Sequence, residues 1–227
     1  VAPLPKIVSV FPRAGATNVE PGKSIEIRFN SPMDPTAFRE FVSITPTAEI
    51  WPWFDEEDTL ARFYTYLRPS TRYTITISAG APGRYGDKLA EGKVWSFRTA
   101  PYPPSINLQT PGPIGLYNSN VPTRLYIAHR NISKVNLKLY ALTAQEVIAI
   151  NSPDGWPDFG KAGKASSLVR SWSIPAQAPQ DVQRLISVTL TTEAGKPLPS
   201  GFYYLSATAP EVGREERHLL VIITDNL

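Results

Sequence analysis

The stretch IRFNSPMDPTAF, residues Ile27–Phe38, changes character halfway along and indicates how this chain is built. It begins with alternating apolar and charged side chains, the pattern of a strand with one buried face. An Asn-Ser pair follows, and such side chains favour turns because they bond the local backbone. Pro32 and Pro35 cannot donate a hydrogen bond to a sheet, so the strand must end here. The stretch therefore predicts a short strand that stops at a polar corner.

The polar corner has two interpretations. It can simply turn the chain, with Asp34 capping a short turn of helix that runs through Phe38. Alternatively, Asp34 and a neighbouring acidic loop could form a Ca²⁺ site, but calcium takes about six or more oxygen ligands and one aspartate cannot supply them. We therefore expect a corner and no metal site.

Alternation of the same kind recurs in the first part of the chain. The apolar members of the alternating segments are Ile25, Ile27 and Phe29, then Tyr73, Ile75 and Ile77, then Trp95 and Phe97. Turn-forming sequences separate these segments, at residues 20–23, 68–71 and 83–87. Short strands at this spacing predict an antiparallel β-sandwich.

The pattern restarts after TAPYPPS, residues Thr99–Ser105, whose three prolines predict a stiff, extended connector. A second strand series follows, with apolar positions at Leu125, Ile127, Val135, Leu137, Leu139, Ile186, Val188 and Leu190, and final strands at Phe202–Thr208 and His218–Thr224. We therefore predict an all-β fold of two consecutive antiparallel β-sandwich domains, residues 1–100 and 101–227. Between the strands, Asn151–Ser167 is predicted to form a long loop and Ser167–Trp172 a short helical turn.

The composition excludes several function classes. Hydrophobic residues make up 42% of the 227 residues and charged residues 19%, which is typical of a globular protein. The net charge of +3 is scattered, so no nucleic-acid partner is expected. The chain has no cysteine, which excludes disulfides, thiolate catalysis and cysteine-bound zinc. No apolar run approaches the ~20 residues of a membrane span. The chain opens VAPLPKIV without a Met or a signal peptide, so we expect a mature or excised segment.

The densest aromatic group, Trp51, Trp53 and Phe54, is the first candidate for a binding site. Exposed rings at this place could stack on sugar rings or anchor a protein partner. Because Trp51 and Trp53 share one face of a predicted strand, packing in the core is the simpler expectation. Trp156, in the long loop with Phe159, has the same two interpretations, and packing between domains is favoured there.

Few groups in the sequence are suited to catalysis. His129 and His218 both lie in predicted strands, away from any Gly-x-Ser-x-Gly elbow, so we expect them in surface or packing roles. The acidic run Asp55–Asp58 is expected at a solvated hairpin tip, with cation binding as the alternative. Catalysis is not expected there, because glycosidase carboxylates face each other across a cleft and neighbours in one loop rarely do. The glycines of Gly80–Gly86 predict a hairpin loop, since no helix N-terminus follows to hold a phosphate. We predict no catalytic residue, no cofactor and no metal ligand.

Five segments of the first predicted domain occur in an order that resembles a known family. They are VFPRAGATNVEPGKSIEIRFNSPMD (Val10–Asp34), VSITP (Val42–Pro46), LRPSTRYTITI (Leu67–Ile77), GDKL (Gly86–Leu89) and VWSFRTA (Val94–Ala100). Together they resemble the bacterial Ig-like domain that recurs in S-layer and other cell-envelope proteins. The resemblance implies a spacer domain over residues 1–100.

Two segments of the second predicted domain resemble a macroglobulin-type domain. They are RLYIAHRNISKVNLKLYAL (Arg124–Leu142) and PLPSGFYYLSATAPE (Pro197–Glu211), the second followed by HLLVIITDNL. An Ig-like domain followed by this module resembles the N-terminal part of a bacterial alpha-2-macroglobulin-like protein. The family uses a bait region cut by proteases and, in many members, a Cys-Gln thioester. Neither can be placed in this sequence, which contains no Cys, so the resemblance implies a scaffold.

The resemblance implies a non-enzymatic structural segment of a protease-trapping protein that is extracellular, periplasmic or at the cell surface. The expected partners are other domains of the same longer chain and, through the full-length protein, host or competitor proteases. An adhesive or carbohydrate-binding Ig-like surface module remains the alternative, motivated by the aromatic groups. A third possibility is an accessory sandwich domain of a hydrolase.

Overall fold

A computed structural model of the chain describes residues 4–110, 112, 114–150, 152 and 167–224. The chain divides into two compact units, Val1–Tyr102 and Pro103–Leu227. Almost all of the regular structure is β-strand, and nearly all strand pairs are antiparallel. The predicted all-β sandwich fold is therefore confirmed.

The first unit is a sandwich of a four-stranded and a three-stranded sheet. Its strands are β1 (Ile7–Phe11), β2 (Ile25–Phe29), β3 (Val42–Thr45), β4 (Trp51–Phe54), β5 (Leu60–Tyr64), β6 (Arg72–Ile77) and β7 (Lys93–Arg98), with a 3₁₀ helix at Phe38–Phe41 before β3. The sheets have the strand orders β1-β2-β5-β4 and β3-β6-β7. Both are antiparallel throughout.

Alternation along the strands builds the core of the first unit. Ile25, Ile27 and Phe29 of β2 are buried and pack against Tyr73, Ile75 and Ile77 of β6 and Trp95 and Phe97 of β7. Each fully buried side chain of this kind contributes about 1.5–3 kcal/mol through removal of apolar surface from water. These are the same residues that the period-two pattern of the sequence assigned to buried faces.

The second unit pairs a three-stranded sheet with a five-stranded one. Its strands are β8 (Ser105–Gln109), β9 (Ile114–Asn118), β10 (Thr123–Arg130), β11 (Lys134–Leu142), β12 (Leu168–Pro175), β13 (Arg184–Leu190), β14 (Gly201–Ala209) and β15 (Val212–Ile223). The sheets have the strand orders β13-β10-β8 and β12-β11-β14-β15-β9. Strand β9 joins the edge of the larger sheet parallel to β15, with Ile114 opposite Leu219.

Helix α1 (Ala144–Ile150) covers part of the outer face of the larger sheet. It begins with a capping box, in which the Glu146 amide donates to Thr143 Oγ1 at 3.2 Å and the Thr143 amide donates to Glu146 Oε2 at 2.7 Å. Its Ile150 is buried with Tyr204 and Leu219 of the sheet. The larger sheet of the second unit therefore buries side chains on both of its faces.

The predicted helical turn at Ser167–Trp172 is wrong. Leu168–Pro175 forms strand β12 and pairs with β11 along its length, with Trp172 opposite Leu137. Hydrogen bonds to a ready-made neighbouring strand outweigh the weak local preference of such a short segment for a helix. The predicted long loop at Asn151–Ser167 lies almost wholly outside the described residues.

Candidate functional site

Strand β4, with the sequence WPWF, carries the aromatic group that the sequence singled out. Trp51 and Trp53 point to solvent and keep 47% and 46% of their surface exposed, whereas Pro52 and Phe54 lie on the inner side. The expectation that the two tryptophans pack in the core is therefore wrong. Both faces of this segment are apolar, so the alternation predicts which residues share a face but not which face is buried.

Neighbouring strands extend the exposed tryptophans into a larger surface. Tyr64 of β5 lies directly opposite Trp51 and is 54% exposed, and Arg62 of β5 lies opposite Trp53. The Arg62 guanidinium carbon is 5.6 Å from the centroid of the Trp53 ring, within cation–π range. We call the three exposed rings of Trp51, Trp53 and Tyr64, together with the half-buried Arg62, the aromatic strip.

An ion pair holds the middle of the aromatic strip. Arg62 Nε donates to Glu26 Oε1 at 3.0 Å, and Glu26 lies opposite Arg62 on the adjacent strand β2. Arg62 is thus fixed between a carboxylate on one side and an indole ring on the other. Sequence reasoning missed Arg62, Glu26 and Tyr64, because their place beside β4 depends on strand pairing between distant segments.

Phe54 does not belong to the aromatic strip. Its ring meets that of Phe38 edge-on, with centroids 5.6 Å apart, and Phe38 is fully buried in the core. Phe54 therefore anchors β4 to the sandwich while its neighbours face outward. Trp156 and Phe159, the other predicted candidates, lie outside the described residues.

The acidic run Asp55–Asp58 forms the tip of the hairpin between β4 and β5, as predicted. Asp55 Oδ1 accepts from the amides of Thr59 at 2.8 Å and Leu60 at 3.0 Å, which closes the turn. The prediction of a solvated tip is wrong for Asp58, which is buried and forms an ion pair with Arg84. This acidic run therefore shapes the loop structure and joins the hairpin to a second loop.

The polar corner after β2 is a structural turn. Asp34 Oδ1 accepts from the Thr36 hydroxyl at 2.7 Å and the Thr36 amide at 2.9 Å. These bonds lower the pKa of Asp34, the hydroxyl contributing most, because they stabilise the carboxylate. The Phe38 amide donates to the Asp34 carbonyl at 3.1 Å, and the 3₁₀ helix begins at Phe38 rather than ending there.

The glycine-rich segment Gly80–Gly86 connects β6 and β7, which pair with each other as a hairpin. Its backbone folds on itself, with the Gly83 amide donating to the Asp87 carbonyl at 2.7 Å. The predicted hairpin loop is confirmed. The Arg84 side chain of this loop supplies the cation that pairs with Asp58.

Both histidines have packing positions inside the second unit. His129 is 1% exposed, and burial lowers its pKa because the charged imidazolium loses its hydration. His218 is fully buried, and its Nε2 lies 2.7 Å from the hydroxyl of Tyr117, whose pKa is raised by burial.

A partly buried polar network on the five-stranded sheet was not foreseen. Glu215 accepts from the Ser206 hydroxyl, from Tyr204 at 3.4 Å and from Arg217 Nε at 3.0 Å. Burial, followed by the neighbouring Glu215 carboxylate, raises the pKa of Tyr204. Because Ser206 and Glu215 are on different strands, only knowledge of the hairpin register could have brought them together.

Across residues 4–110, 112, 114–150, 152 and 167–224, no cluster of three or more His, Asp or Glu could hold a metal ion. Within the same ranges, no helix is long and apolar enough to cross a membrane.

Comparison with known families gives one match, in the first unit. Residues 2–99 match the family model of the bacterial Ig-like domain, which confirms the resemblance predicted for this part of the chain. None of the curated protein sequences that were compared with the chain matches it significantly.

Comparison with solved structures extends to the second unit. The Salmonella alpha-2-macroglobulin mutant Y1175G matches with a TM-score of 0.68 at 12% identity, covering 97% of this chain and 13% of that one. The same protein reacted with methylamine gives a TM-score of 0.66 at 10% identity, with the same coverage. A native Escherichia coli alpha-2-macroglobulin structure spanning domains MG0-NIE-MG1 gives 0.43 at 13% identity, covering 96% of this chain and 71% of that one.

The chain thus spans about an eighth of the Salmonella protein, and at this identity the likeness is one of fold. The expected resemblance to bacterial alpha-2-macroglobulins is confirmed at that level. Residues 2–99 match the family model of the bacterial Ig-like domain, and a second β-sandwich unit follows them, in a fold that also occurs within Salmonella alpha-2-macroglobulin.

Proposed function

We propose that this chain is a non-enzymatic structural segment of a longer, alpha-2-macroglobulin-like protein that traps proteases at the bacterial cell envelope. The observation that carries this proposal is the fold of both units together. It matches Salmonella alpha-2-macroglobulin over 97% of this chain but only 13% of that protein. Because the match covers only a small fraction of that larger protein, we infer that this chain is one segment of a longer protein built in a similar way.

The proposal divides the chain into an Ig-like spacer, residues 1–100, and a macroglobulin-type domain, residues 101–227. Support for the second assignment comes from two pairs of consecutive strands: β10 and β11, which lie in different sheets, and β14 and β15, which form a hairpin. They contain the sequence segments that resemble the macroglobulin type, and they contribute strands to both sheets of the second unit. These four strands form the framework of the second sandwich.

The environment of the two histidines supports a non-enzymatic role. A general base must reach a substrate, and both rings are buried between the sheets of the second unit. The ring of His218 is engaged with Tyr117, and Gly115 leaves room for this contact. Both histidines therefore serve the packing of the sandwich.

The protease-trapping parts would lie elsewhere in the longer protein. The 227 residues contain no Cys, so a Cys-Gln thioester would have to come from another segment. The partners of this segment would be other domains of the same chain, and proteases would be met only through the full-length protein. The fitting location is extracellular, periplasmic or on the cell surface.

The test uses the full-length parent protein and trypsin as the probe protease. We expect trypsin to cut the parent outside residues 1–227 and afterwards to keep its activity on small peptide substrates but lose it on large protein substrates. Mass spectrometry of the products should find residues 1–227 intact.

The isolated segment is the control. At the same concentration it should leave trypsin unchanged toward both kinds of substrate, because a scaffold has no trapping surface of its own. Direct inhibition by the isolated segment, or rapid cleavage within residues 1–227 without discrimination by substrate size, would contradict the proposal.

A further inference from the structure

The aromatic strip is the feature of the first unit that a pure scaffold role leaves unused. Three large aromatic side chains, Trp51, Trp53 and Tyr64, are each about half exposed on the outer face of one sheet. Large exposed rings in a contiguous group mark interaction sites, whereas isolated exposed apolar residues need no explanation. The strip is also rigid, because it lies on paired strands rather than on a loop.

We infer that the aromatic strip binds a neutral glycan chain, with sugar rings stacked on Trp51, Trp53 and Tyr64 and hydroxyl groups bonded to Arg62 and Glu26. This role goes beyond the proposed scaffold function and is independent of it. A pyranose ring has an apolar C–H face and a rim of hydroxyls, so it needs flat aromatic surfaces beside fixed polar groups. The strip supplies both within one sheet face.

The spacing of the rings suits a chain of sugars rather than a single one. Trp51 and Trp53 are two residues apart on β4, which places them roughly 7 Å apart along the strand. Tyr64 is directly opposite Trp51 on β5, so the rings occupy two adjacent rows of the sheet. This surface is larger than one six-membered ring and offers contacts to at least two neighbouring sugars.

The charge balance of the strip favours a neutral ligand. Arg62 is paired with Glu26 at 3.0 Å, so the two polar groups in the middle of the strip cancel each other's charge. Their remaining hydrogen-bonding positions can serve hydroxyl groups, which both donate and accept. The contact of Arg62 with Trp53 also fixes these groups before binding, which lowers the entropic cost of association.

Addition of a partner's strand to β4 is disfavoured by the sequence of that strand. Pro52 lies in the middle of β4 at the edge of the sheet and has no amide hydrogen for a further strand. Proline at this place is a device that blocks edge-to-edge pairing. A ligand therefore approaches the face of the sheet, where the rings are, rather than its edge.

The experiment measures binding of neutral hexasaccharides to the 227-residue protein by calorimetry. The probes are cellohexaose, xylohexaose, mannohexaose and chitohexaose, together with their monosaccharides. We expect at least one hexasaccharide to bind, more tightly than its monosaccharide. Trp51→Ala and Trp53→Ala should each weaken that binding about tenfold or more, the loss expected when one stacking surface is removed.

Matched tyrosines provide the control. Tyr64→Ala should weaken binding, whereas Tyr126→Ala should not, because Tyr126 is similarly exposed at 45% but lies on β10 of the second unit. Circular dichroism checks that each variant is folded. Failure of all four hexasaccharides to bind, or equal binding by the Trp51→Ala/Trp53→Ala double variant, would overturn the inference. The inference is also overturned if the double variant leaves glycan binding unchanged and disturbs only the packing of domains in the parent protein. The aromatic strip would then be a contact between protein domains.

Discussion

The two units differ in whether the outer face of the larger sheet is covered. In the first unit, the outer face of the four-stranded sheet is exposed and carries the aromatic strip. In the second unit, helix α1 covers part of the outer face of the five-stranded sheet, where Tyr204 and Leu219 are buried. The same sandwich architecture thus leaves a surface free for contact in one unit and adds a second layer of packing in the other.

The interiors of the two units also differ in their chemistry. Both histidines of the chain are in the second unit, and both are buried there. The core of the first unit consists of apolar side chains around Phe38, which contacts Phe29 and Phe54 edge-on. Burial lowers the pKa of His129 in the second core, whereas the first core has no histidine that could titrate near neutrality.

The largest expected effect tests whether the two cores are independent. Phe38→Ala should destabilise the first unit by about 3–5 kcal/mol, because a fully buried ring with two edge-on partners is replaced by a cavity. Hydrogen exchange with mass spectrometry should show protection lost in residues 7–98 and kept in β8–β15. The reciprocal variant, Leu139→Ala in the second core, should reverse this pattern. Loss of protection in both units from either change would show that the cores unfold together.

A glycine in β9 tests the parallel edge of the second unit. A Cβ added at Gly115 would lie 2.5 Å from the Tyr117 hydroxyl and 2.7 Å from His218 Nε2, so neighbouring side chains must move. Gly115→Ala should therefore cost about 1–3 kcal/mol in urea unfolding. Gly213→Ala is the control, because its Cβ would meet nothing within 4 Å, and it should change stability by less than about 0.5 kcal/mol. Equal effects of the two substitutions would show that the packing around Gly115 is loose.

Lowering the pH should destabilise the second unit more than the first. Burial depresses the pKa of His129 below its ordinary value of 6.5. The His129 ring therefore binds a proton more readily in the unfolded chain than in the folded unit. The stabilising contribution of the neutral ring is complete above pH 6.5 and is lost as the pH falls from there through the lowered pKa of the folded state. Urea unfolding between pH 7.5 and 5 should show the second unit losing stability, and His129→Gln should reduce that slope. A slope of the same size in the first unit would remove histidine as the cause.

The smallest expected effect concerns the ion pair under the aromatic strip. Glu26→Gln should cost less than about 1 kcal/mol, because both side chains of the Arg62–Glu26 pair are about one third exposed and water screens them. A double-mutant cycle with Arg62→Gln measures the coupling free energy. A coupling well above 1 kcal/mol would indicate that the pair also holds the tryptophan rings in place.

Much of the sandwich framework could be predicted because strands with one buried face carry their own signal. Ile25, Ile27 and Phe29 alternate with charged residues, so both the strand and its inward face were evident. In WPWF both faces are apolar, and only the structure shows that Phe54, not Trp53, contacts the core. The two tryptophans of the aromatic strip were therefore predicted in their location but not in their exposure.

Features that depend on long-range pairing could not be predicted from local sequence. The ion pair of Arg62 with Glu26 requires β2 and β5 to be neighbours, and nothing near either residue indicates this. Strand β12 was mistaken for a helical turn because its partner is distant in the sequence. Helix α1 was missed although Thr143 and Glu146 form a recognisable capping box, so this omission was avoidable.

The parallel pairing of β9 with β15 has a consequence for synthesis on the ribosome. Ile114 of β9 pairs with Leu219 of β15, about a hundred residues later in the chain. Strand β9 therefore cannot join the sheet until β15 has been synthesised. The first unit contains all of its own strands and can fold while the rest is still being made. During that interval the uncharged segment Ile114–Asn118 is available to wrong partners, so slow translation of the final strand should favour aggregation.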